Sequence, residues 1–293
     1  MTTRHPNQAA ILCMLTAVAL FALMDAGLKL LAPHYPPLQV AALRGMSSLP
    51  FVLVWVLCTA NARSLLRVHW PLHLLRGALG IGMMVGFVYG LRSMPLSTAY
   101  SITFIAPMLV TAMAGPLLGE TVGRQRWIAI AIGMLGMLVI LRPTGQGLAT
   151  AGGLAVLIAA ACYAASAITV RMLAQRDSVQ AMVLWFLVLL SLGAGLLAAP
   201  GWVPVQGGDL WIIAGVGLAG SLAQVALTEA FRRGEASLIA PLEYTALFWV
   251  VCLDLLLWGV LPDAVTWIGA GIIVASGLYL LRREKVHVEA EHP

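Results

Sequence analysis

Two residues of opposite charge stand four positions apart in the apolar stretch FALMDAGLKLLAP, residues 21–33. On a helix, Asp25 and Lys29 share one face, and Arg44 follows at a similar depth in the next apolar stretch. Charges in an apolar setting usually face a cavity or a charge of opposite sign. The three residues predict either a polar cluster that orients a zwitterionic ligand, or an ion pair of Asp25 with Lys29 or Arg44 that fixes two helices.

A further acidic residue follows a proline in the stretch APLEYTALFW. Because Pro241 lacks a backbone donor, it predicts a kink that leaves carbonyl groups free to face a cavity. Glu243 or Tyr244 would then contact a ligand. The alternative is that Glu243 lies near the end of its helix and pairs with Arg232 or Arg233.

Aromatic side chains in the middle of apolar stretches are candidates to line a pocket for an amino-acid-like ligand. Gln224 is a candidate hydrogen-bonding residue of the same pocket. Ordinary core packing is the alternative for each aromatic candidate. The six are Phe87, Tyr100, Phe104, Tyr163, Trp185 and Tyr244.

The elements that carry these residues must be membrane helices. The chain of 293 residues is 61% hydrophobic and only 10% charged, with a mean hydropathy of +0.94, whereas soluble domains carry about 25% charged residues. The net charge of +5 arises mostly from arginines in short gaps between apolar stretches, which is typical of topology signals rather than of a nucleic-acid-binding surface. The four cysteines lie in apolar stretches without a CxxC motif, so neither disulfides nor a metal site is expected.

A helix needs about 20 residues to cross the bilayer core. Breaks at proline, glycine and charge clusters predict ten spans, at residues 9–32, 37–59, 70–91, 96–118, 124–142, 151–174, 179–199, 209–231, 236–261 and 263–282. With a cytoplasmic N-terminus, thirteen lysines and arginines would lie inside and four outside. This asymmetry predicts that both termini are cytoplasmic.

The sequence repeats itself after about 140 residues. The shift is 140 over most of the chain and 142 near the front of each copy, and it defines predicted domains at 1–148 and 149–293. Each copy holds five predicted spans, and an odd number places the second copy upside down relative to the first. Matched pairs include Phe21 and Tyr163, Lys29 and Arg171, Arg92 and Arg232, Phe104 and Tyr244, Gly119 and Gly259, and Trp127 and Trp267.

The end of each copy resembles an EamA-type domain of the drug/metabolite transporter superfamily. That pattern has a proline within the fourth span, Gly-Glu at its end and a glycine-rich fifth span. Residues 96–143 supply these features in the first copy, and residues 235–284 resemble the second copy. One departure is that Gly259 is followed by Val260, so Glu120 has no acidic counterpart and is predicted to be structural. The matching residues are Pro107, Gly119, Glu120, Gly133 and Gly136, then Pro241, Gly259, Trp267 and Gly277.

This resemblance implies an all-α polytopic membrane protein in which ten transmembrane helices form two inverted five-helix repeats around a central cavity. It implies alternating access without ATP, and Pro107 and Pro241 are predicted hinges of that motion. The chain is also similar to bacterial ten-helix amino-acid exporters. The resemblance therefore predicts export of small metabolites, most of all amino acids including aromatic and other neutral ones, across the bacterial inner membrane.

Other functions remain as alternatives. Uptake or exchange of a nucleoside, a vitamin or S-adenosylmethionine fits the same superfamily. An intramembrane enzyme is disfavoured, since Asp25 and Asp254 lack the GxGD and YD signatures of aspartyl proteases and no HExxH motif occurs. No catalytic residue, cofactor or metal is predicted; the expected partners are a small-molecule substrate and the lipid bilayer, and neither nucleic acid nor ATP.

Overall fold

The structure is a computed structural model that describes residues 6–60, 62–94, 96–120, 123–141 and 150–259. It also describes eight positions of the last predicted span, at 264, 265, 267, 268, 271, 272, 275 and 276, all of them helical. Within these ranges the regular secondary structure is helical, which confirms the predicted all-α fold of a polytopic membrane protein.

The described residues form twelve α-helices and three 3₁₀ segments. The 3₁₀ segments are Ala199–Gly201, Gly207–Asp209 and Ala240–Thr245. The α-helices are α1 (Pro6–Leu31), α2 (Pro37–Thr59), α3 (Ala62–Leu66), α4 (Trp70–Leu91), α5 (Leu96–Thr103), α6 (Ala106–Leu118), α7 (Arg124–Leu141), α8 (Ala151–Leu173), α9 (Val179–Ala198), α10 (Leu210–Arg233), α11 (Ala236–Ile239) and α12 (Ala246–Trp258).

Six of these helices, α1, α2, α4, α8, α9 and α10, are long and apolar enough to cross a membrane, and each matches a predicted span. The predicted fifth span corresponds to α7, whose apolar part is shorter. The fourth and ninth predicted spans, at 96–118 and 236–261, are both interrupted, which goes further than the kink that Pro241 predicts. Most of the tenth predicted span lies outside the described residues.

The two interruptions fall at equivalent places of the repeat. In the first copy α5 ends at Thr103 and α6 begins at Ala106, with Pro107 in its first turn. In the second copy the 3₁₀ segment Ala240–Thr245, which contains Pro241, separates α11 from α12. A proline cannot donate the helical hydrogen bond, so each break has a local cause. The predicted hinge role of the two prolines stays a prediction.

Local sequence also explains where several helices begin and end. Thr150 and Ser178 accept hydrogen bonds from the backbone amides of the first turns of α8 and α9, as N-cap residues do. Gly119 and Gly259 end α6 and α12 with φ angles of 70° and 64°, a left-handed conformation that glycine adopts without penalty. These two glycines are repeat counterparts, so both broken spans end in the same way.

Helix packing follows the repeat. The most extensive contacts join α1 to α10, α4 to α8, and α2 to α9. In the repeat, α1 corresponds to α8, α2 to α9 and α4 to α10. Exchanging the two copies therefore turns the contact of α1 with α10 into that of α8 with α4, and turns the contact of α2 with α9 into itself, as a pseudo-two-fold axis requires. Close approach is possible because small residues lie at the contacts: Gly217 of α10 faces the backbone of Ser47, and Gly86 of α4 faces the carbonyl of Ala155.

Candidate functional site

A cavity of about 1020 Å³, including its open mouth, lies between helices of the two copies. Its lining comes from α1, α2, α4, α5, α8, α9, α10, α12 and the two interrupted regions. Eight of the eleven predicted binding residues line it: Asp25, Arg44, Phe87, Tyr100, Phe104, Tyr163, Gln224 and Glu243.

The acidic side of the cavity consists of two carboxyl groups, each held by a tyrosine. The hydroxyl of Tyr100 donates a hydrogen bond of 2.6 Å to Oδ2 of Asp25. The hydroxyl of Tyr163 donates one of 2.8 Å to Oε1 of Glu243. Oδ1 of Asp25 is buried and has no hydrogen-bond partner among the described residues. The site can therefore offer at least one free acceptor to a bound cation or donor.

The predicted structural partners of these acids are not the observed ones. Asp25 bonds Tyr100 rather than forming an ion pair with Lys29 or Arg44, and Glu243 bonds Tyr163 rather than Arg232 or Arg233. The reason is that each tyrosine comes from a distant span that the repeat packing brings beside the acid.

The basic side of the cavity is formed by Arg44 and Arg76, whose side chains are both buried. Nε of Arg44 donates to the sulfur of Met24 at 3.1 Å. Nη1 of Arg76 donates to the carbonyl of Met182 at 2.8 Å, and its Nη2 lies 3.5 Å from the hydroxyl of Thr228. None of these partners carries a negative charge, so two guanidinium groups border the cavity without a salt bridge inside the described part of the chain.

Aromatic rings form a continuous wall of the cavity. Successive edge-to-face contacts join Phe87 to Tyr100 at 5.9 Å and Tyr100 to Phe104 at 6.1 Å between ring centroids. Phe104 continues to Tyr244 at 5.4 Å. Such rings supply a flat apolar surface onto which another aromatic group can pack.

Three predicted binding residues lie outside the cavity lining. Lys29 pairs with Asp254, Trp185 donates its indole N–H to the carbonyl of Leu65 at 2.8 Å, and Tyr244 is buried behind Phe104. The first two hold helices together. Tyr244 supports the aromatic wall from behind.

Two residues that the sequence interpretation did not assign to the pocket are central to it. Arg76 was counted there as a charge on the cytoplasmic side, but its side chain is 1% exposed and borders the cavity. Phe186 contacts both guanidinium groups, with its ring centroid 5.9 Å from Cζ of Arg44 and 4.8 Å from Cζ of Arg76. Two features of the sequence could have indicated them. Arg76 lies six residues into a predicted span, and Phe186 stands 142 positions after Arg44, which makes the two residues repeat counterparts.

Two ion pairs connect the copies, and their basic residues are counterparts in the repeat. Nζ of Lys29 lies 3.3 Å from Oδ1 of Asp254, and Nζ is also 4.0 Å from the ring centroid of Trp258. Nε of Arg171 lies 3.4 Å from Oε1 of Glu120, which also accepts from the amide of Ala236.

Lys29 and Arg171 are repeat counterparts, and each stands two residues before the end of its helix. Each pairs with an acid near the end of a broken span of the other copy. In the predicted inverted topology, the two pairs would lie toward opposite membrane faces.

Connections beside the helix ends carry further bonds between the copies. The hydroxyl of Tyr35 donates 2.6 Å to Oδ2 of Asp209, and this hydrogen bond raises the pKa of Tyr35. Gln39 exchanges two hydrogen bonds with the backbone of Val203, at 2.6 and 2.8 Å. At the other end of the helices, Nε2 of His73 lies 2.8 Å from Asp177. Within the described ranges, no group of three His, Cys, Asp or Glu side chains could hold a metal ion.

The model of the EamA-like transporter family matches the chain twice, over residues 8–142 and 150–282. The chain belongs to this family. Both matches follow the two copies of the internal repeat, and together they include all ten predicted spans. The family assignment confirms the resemblance to EamA-type domains and makes the chain a multi-pass membrane protein of the transporter class.

Curated relatives in this family are named as transporters of several small molecules. A riboflavin transporter of Rhizobium johnstonii is 31% identical over 221 residues, which is 75% of this chain and 73% of the relative. A riboflavin transporter of Vibrio cholerae is 29% identical over 284 residues, with 96% and 95% covered. A pseudopaline exporter of Pseudomonas aeruginosa is 25% identical over 279 residues, with 95% and 98% covered. The relatives thus support transport of a small molecule without singling out amino acids.

A solved crystal structure shares the fold, with a TM-score of 0.79 over 95% of this chain and 99% of the other. The sequence identity is 20%, so this likeness concerns the fold alone.

Proposed function

We propose that this chain is a secondary transporter that moves a small aromatic metabolite through the membrane by alternating access. The observation that carries the proposal is the cavity between the two copies, in which aromatic rings lie beside two carboxyl and two guanidinium groups. Transporters built from inverted repeats bind substrate at the repeat interface, next to interrupted helices. Here both interrupted spans contribute to the cavity wall, through Tyr100, Phe104 and Glu243.

Aromatic amino acids are the first candidate substrates. Their rings would pack on the wall that Phe87, Tyr100 and Phe104 form, and their ammonium group would face Asp25 or Glu243. Export, the direction that the sequence predicts, is part of this proposal. It requires no enzymatic step, no cofactor and no ATP, because a gradient of substrate or of a coupled ion supplies the free energy.

Riboflavin is the second candidate. Two relatives that are 31% and 29% identical to this chain are named riboflavin transporters, and one of them is covered over 95% of its length. A tricyclic ring system suits the same aromatic wall. Polar lining groups such as Gln224 would bond its ring substituents.

The two ion pairs between the copies suit alternating access. Lys29 with Asp254 would hold one mouth of the cavity closed, and Arg171 with Glu120 would hold the other. Opening on one side then breaks one pair and preserves its counterpart. The domain boundary at 148/149, the location in the bacterial inner membrane and the cytoplasmic position of both termini belong to the same proposal.

The proposal is tested by counterflow into proteoliposomes that contain the purified full-length chain. Vesicles are preloaded with unlabelled phenylalanine, tyrosine, tryptophan or riboflavin, and entry of the labelled compound is followed with and without an imposed pH gradient. Saturable counterflow of one of these compounds is expected, because exchange needs only a binding site that opens alternately to each side. Folded protein without counterflow of any of the four would contradict the proposal.

Variants connect the activity to the cavity. Asp25→Asn and Glu243→Gln alter cavity acids, whereas Glu229→Gln alters an acid that pairs with Arg232 and Arg233 within α10. The first two are expected to change the KM or the response to the pH gradient. The third should behave as the unmodified protein does, and an equal effect of all three would assign the cavity acids to stability alone.

A further inference from the structure

The ring of Phe186 lies close to two buried arginines at the cavity. Both Arg44 and Arg76 are 1% exposed, and both border the cavity together with Phe186. Their guanidinium carbons lie 5.9 and 4.8 Å from the ring centroid. A guanidinium over an aromatic face is stabilised by the ring quadrupole, and its edge remains available for hydrogen bonds.

Each arginine keeps a donor that nothing satisfies. Nη1 of Arg44 and Nε of Arg76 are buried and have no hydrogen-bond partner among the described residues. A buried donor without a partner is costly, and more so when it belongs to a charged group. Burial of two such groups beside a cavity indicates that something in the cavity completes them.

The carboxyl groups of the site do not fill this role. Asp25 and Glu243 are the acids of the cavity lining, and each accepts a hydrogen bond from a tyrosine. Arg44 and Arg76 bond instead to a thioether, a carbonyl and a hydroxyl, all of them neutral. Asp25 attracts Arg44 electrostatically, but among the described residues neither arginine of the basic side forms a salt bridge with an acid.

The repeat places this basic side at the midpoint of the molecule. Phe186 stands 142 positions after Arg44, so the two residues are repeat counterparts that face each other across the contact of α2 with α9. Two counterparts in contact must lie on the pseudo-two-fold axis. A ligand group held there is equally distant from both mouths of the cavity, as alternating access requires.

We propose that Arg44 and Arg76, which both contact Phe186, bind an acidic group of the transported substrate, a carboxylate or a phosphate. This inference rests on the proposed transport function and adds the substrate class: an aromatic compound that carries an acid. A guanidinium presents several N–H donors in one plane, which matches the oxygens of either acid. Aromatic amino acids would bind through the carboxylate, and a flavin would bind best in a phosphorylated form.

The first arm of the test uses small anions on the purified full-length protein and needs no aromatic substrate. Sodium acetate and inorganic phosphate are titrated at constant ionic strength against sodium chloride, and thermal unfolding is recorded. An anion that binds the native state raises the Tm in a saturable way. We expect such a rise with at least one of the two anions in the unmodified protein and none in Arg44→Gln or Arg76→Gln.

The second arm measures affinity for compounds that differ only in the acid: tryptophan against tryptamine, and riboflavin 5′-phosphate against riboflavin. In the unmodified protein the acid-bearing member of at least one pair is expected to bind about 10- to 100-fold more tightly, as for a charge-assisted hydrogen bond. Arg44→Gln and Arg76→Gln should remove that preference. Arg232→Gln, at an exposed pair, is the control and should keep it.

The outcomes separate this inference from the proposed function. Anion stabilisation that depends on both arginines, without binding of any aromatic compound, would support the anion site and contradict the aromatic substrate. Binding of tryptamine or riboflavin as tightly as their acid-bearing counterparts would overturn the anion site and leave transport intact. If the glutamine variants do not fold, the comparison of acid-bearing and acid-free compounds on the unmodified protein still tests the proposed anion site.

Discussion

The ion pair of Lys29 with Asp254 is expected to keep one mouth of the cavity closed, so Asp254→Asn should open that mouth. The pair joins α1 of the first copy to α12 of the second at 3.3 Å. Arg171, the repeat counterpart of Lys29, pairs with Glu120 at 3.4 Å and joins α8 to the end of α6. Loss of one pair should therefore shift the population of states toward opening on that side.

The size of the shift follows from how buried the pair is. Exposed ion pairs contribute about 0.2–1 kcal/mol, whereas removal of one partner of a fully buried pair costs about 3–5 kcal/mol. The side chains of Lys29 and Asp254 are 18% and 9% exposed, which places the pair between these limits. We expect a loss of about 1–2 kcal/mol, equivalent to about a 5- to 30-fold change in the ratio of open to closed states.

Thiol labelling measures this ratio. In a background in which the four cysteines are replaced, Ala167→Cys places one thiol in the cavity lining. A membrane-impermeant reagent is added to oriented vesicles from either side. Asp254→Asn should raise the labelling rate about 5- to 30-fold from the side nearer to residue 254 and lower it from the other side. Glu120→Gln should show the reverse pattern.

The control is Glu229→Gln, because Glu229 pairs with two arginines of its own helix and connects no copies. It should leave labelling from both sides unchanged. The proposed role of the two ion pairs is refuted if Asp254→Asn and Glu120→Gln raise labelling from the same side. Lys29 and Arg171 are counterparts in inverted copies, so their pairs must act on opposite faces. The proposed role is refuted equally if neither variant changes the rates.

Three further predictions concern stability in detergent, measured by thermal unfolding. Gly217→Ala should cost about 1–3 kcal/mol because the new methyl group meets the backbone of α2, and Gly215→Ala, in open space, should be close to neutral. Gly259→Ala forces a non-glycine residue to a φ of 64° and should cost about 1–2 kcal/mol; no loss would mean that α12 ends differently. Tyr163→Phe removes the donor to Glu243 and should cost about 1–3 kcal/mol, with a smaller loss when Glu243→Gln is already present.

The membrane fold was predictable because composition and repetition are properties of the whole chain. Low charge and high hydropathy require apolar surroundings, and a repeat with five spans per copy implies inversion. A kink at Pro241 and hinges at Pro107 and Pro241 were predicted, but a full interruption of the two spans was not. Whether a proline kinks a span or divides it depends on neighbouring helices that satisfy the freed backbone groups, and no local pattern encodes them.

The sequence predicted which residues line the cavity better than it predicted which side chains bond to each other. Asp25 and Glu243 were selected because acids are rare in apolar stretches, and both border the cavity. Their partners come from spans 75 and 80 residues away, so spacing along one helix cannot identify them. Arg76 was missed for a related reason: its place near the start of a span resembles an interfacial charge until packing buries it.

The most direct test of the central claim is to block the cavity and measure transport. Two single-cysteine variants are made: Ala167→Cys in the cysteine-free background, with its thiol in the cavity, and a variant that keeps only Cys58, which is exposed on α2. Each is labelled to completion with a bulky thiol reagent. Counterflow of the transported compound is then compared with that of unlabelled protein. We expect a label at residue 167 to abolish counterflow and a label at Cys58 to leave it unchanged. Full counterflow with residue 167 labelled would contradict the assignment of this cavity as the transport site.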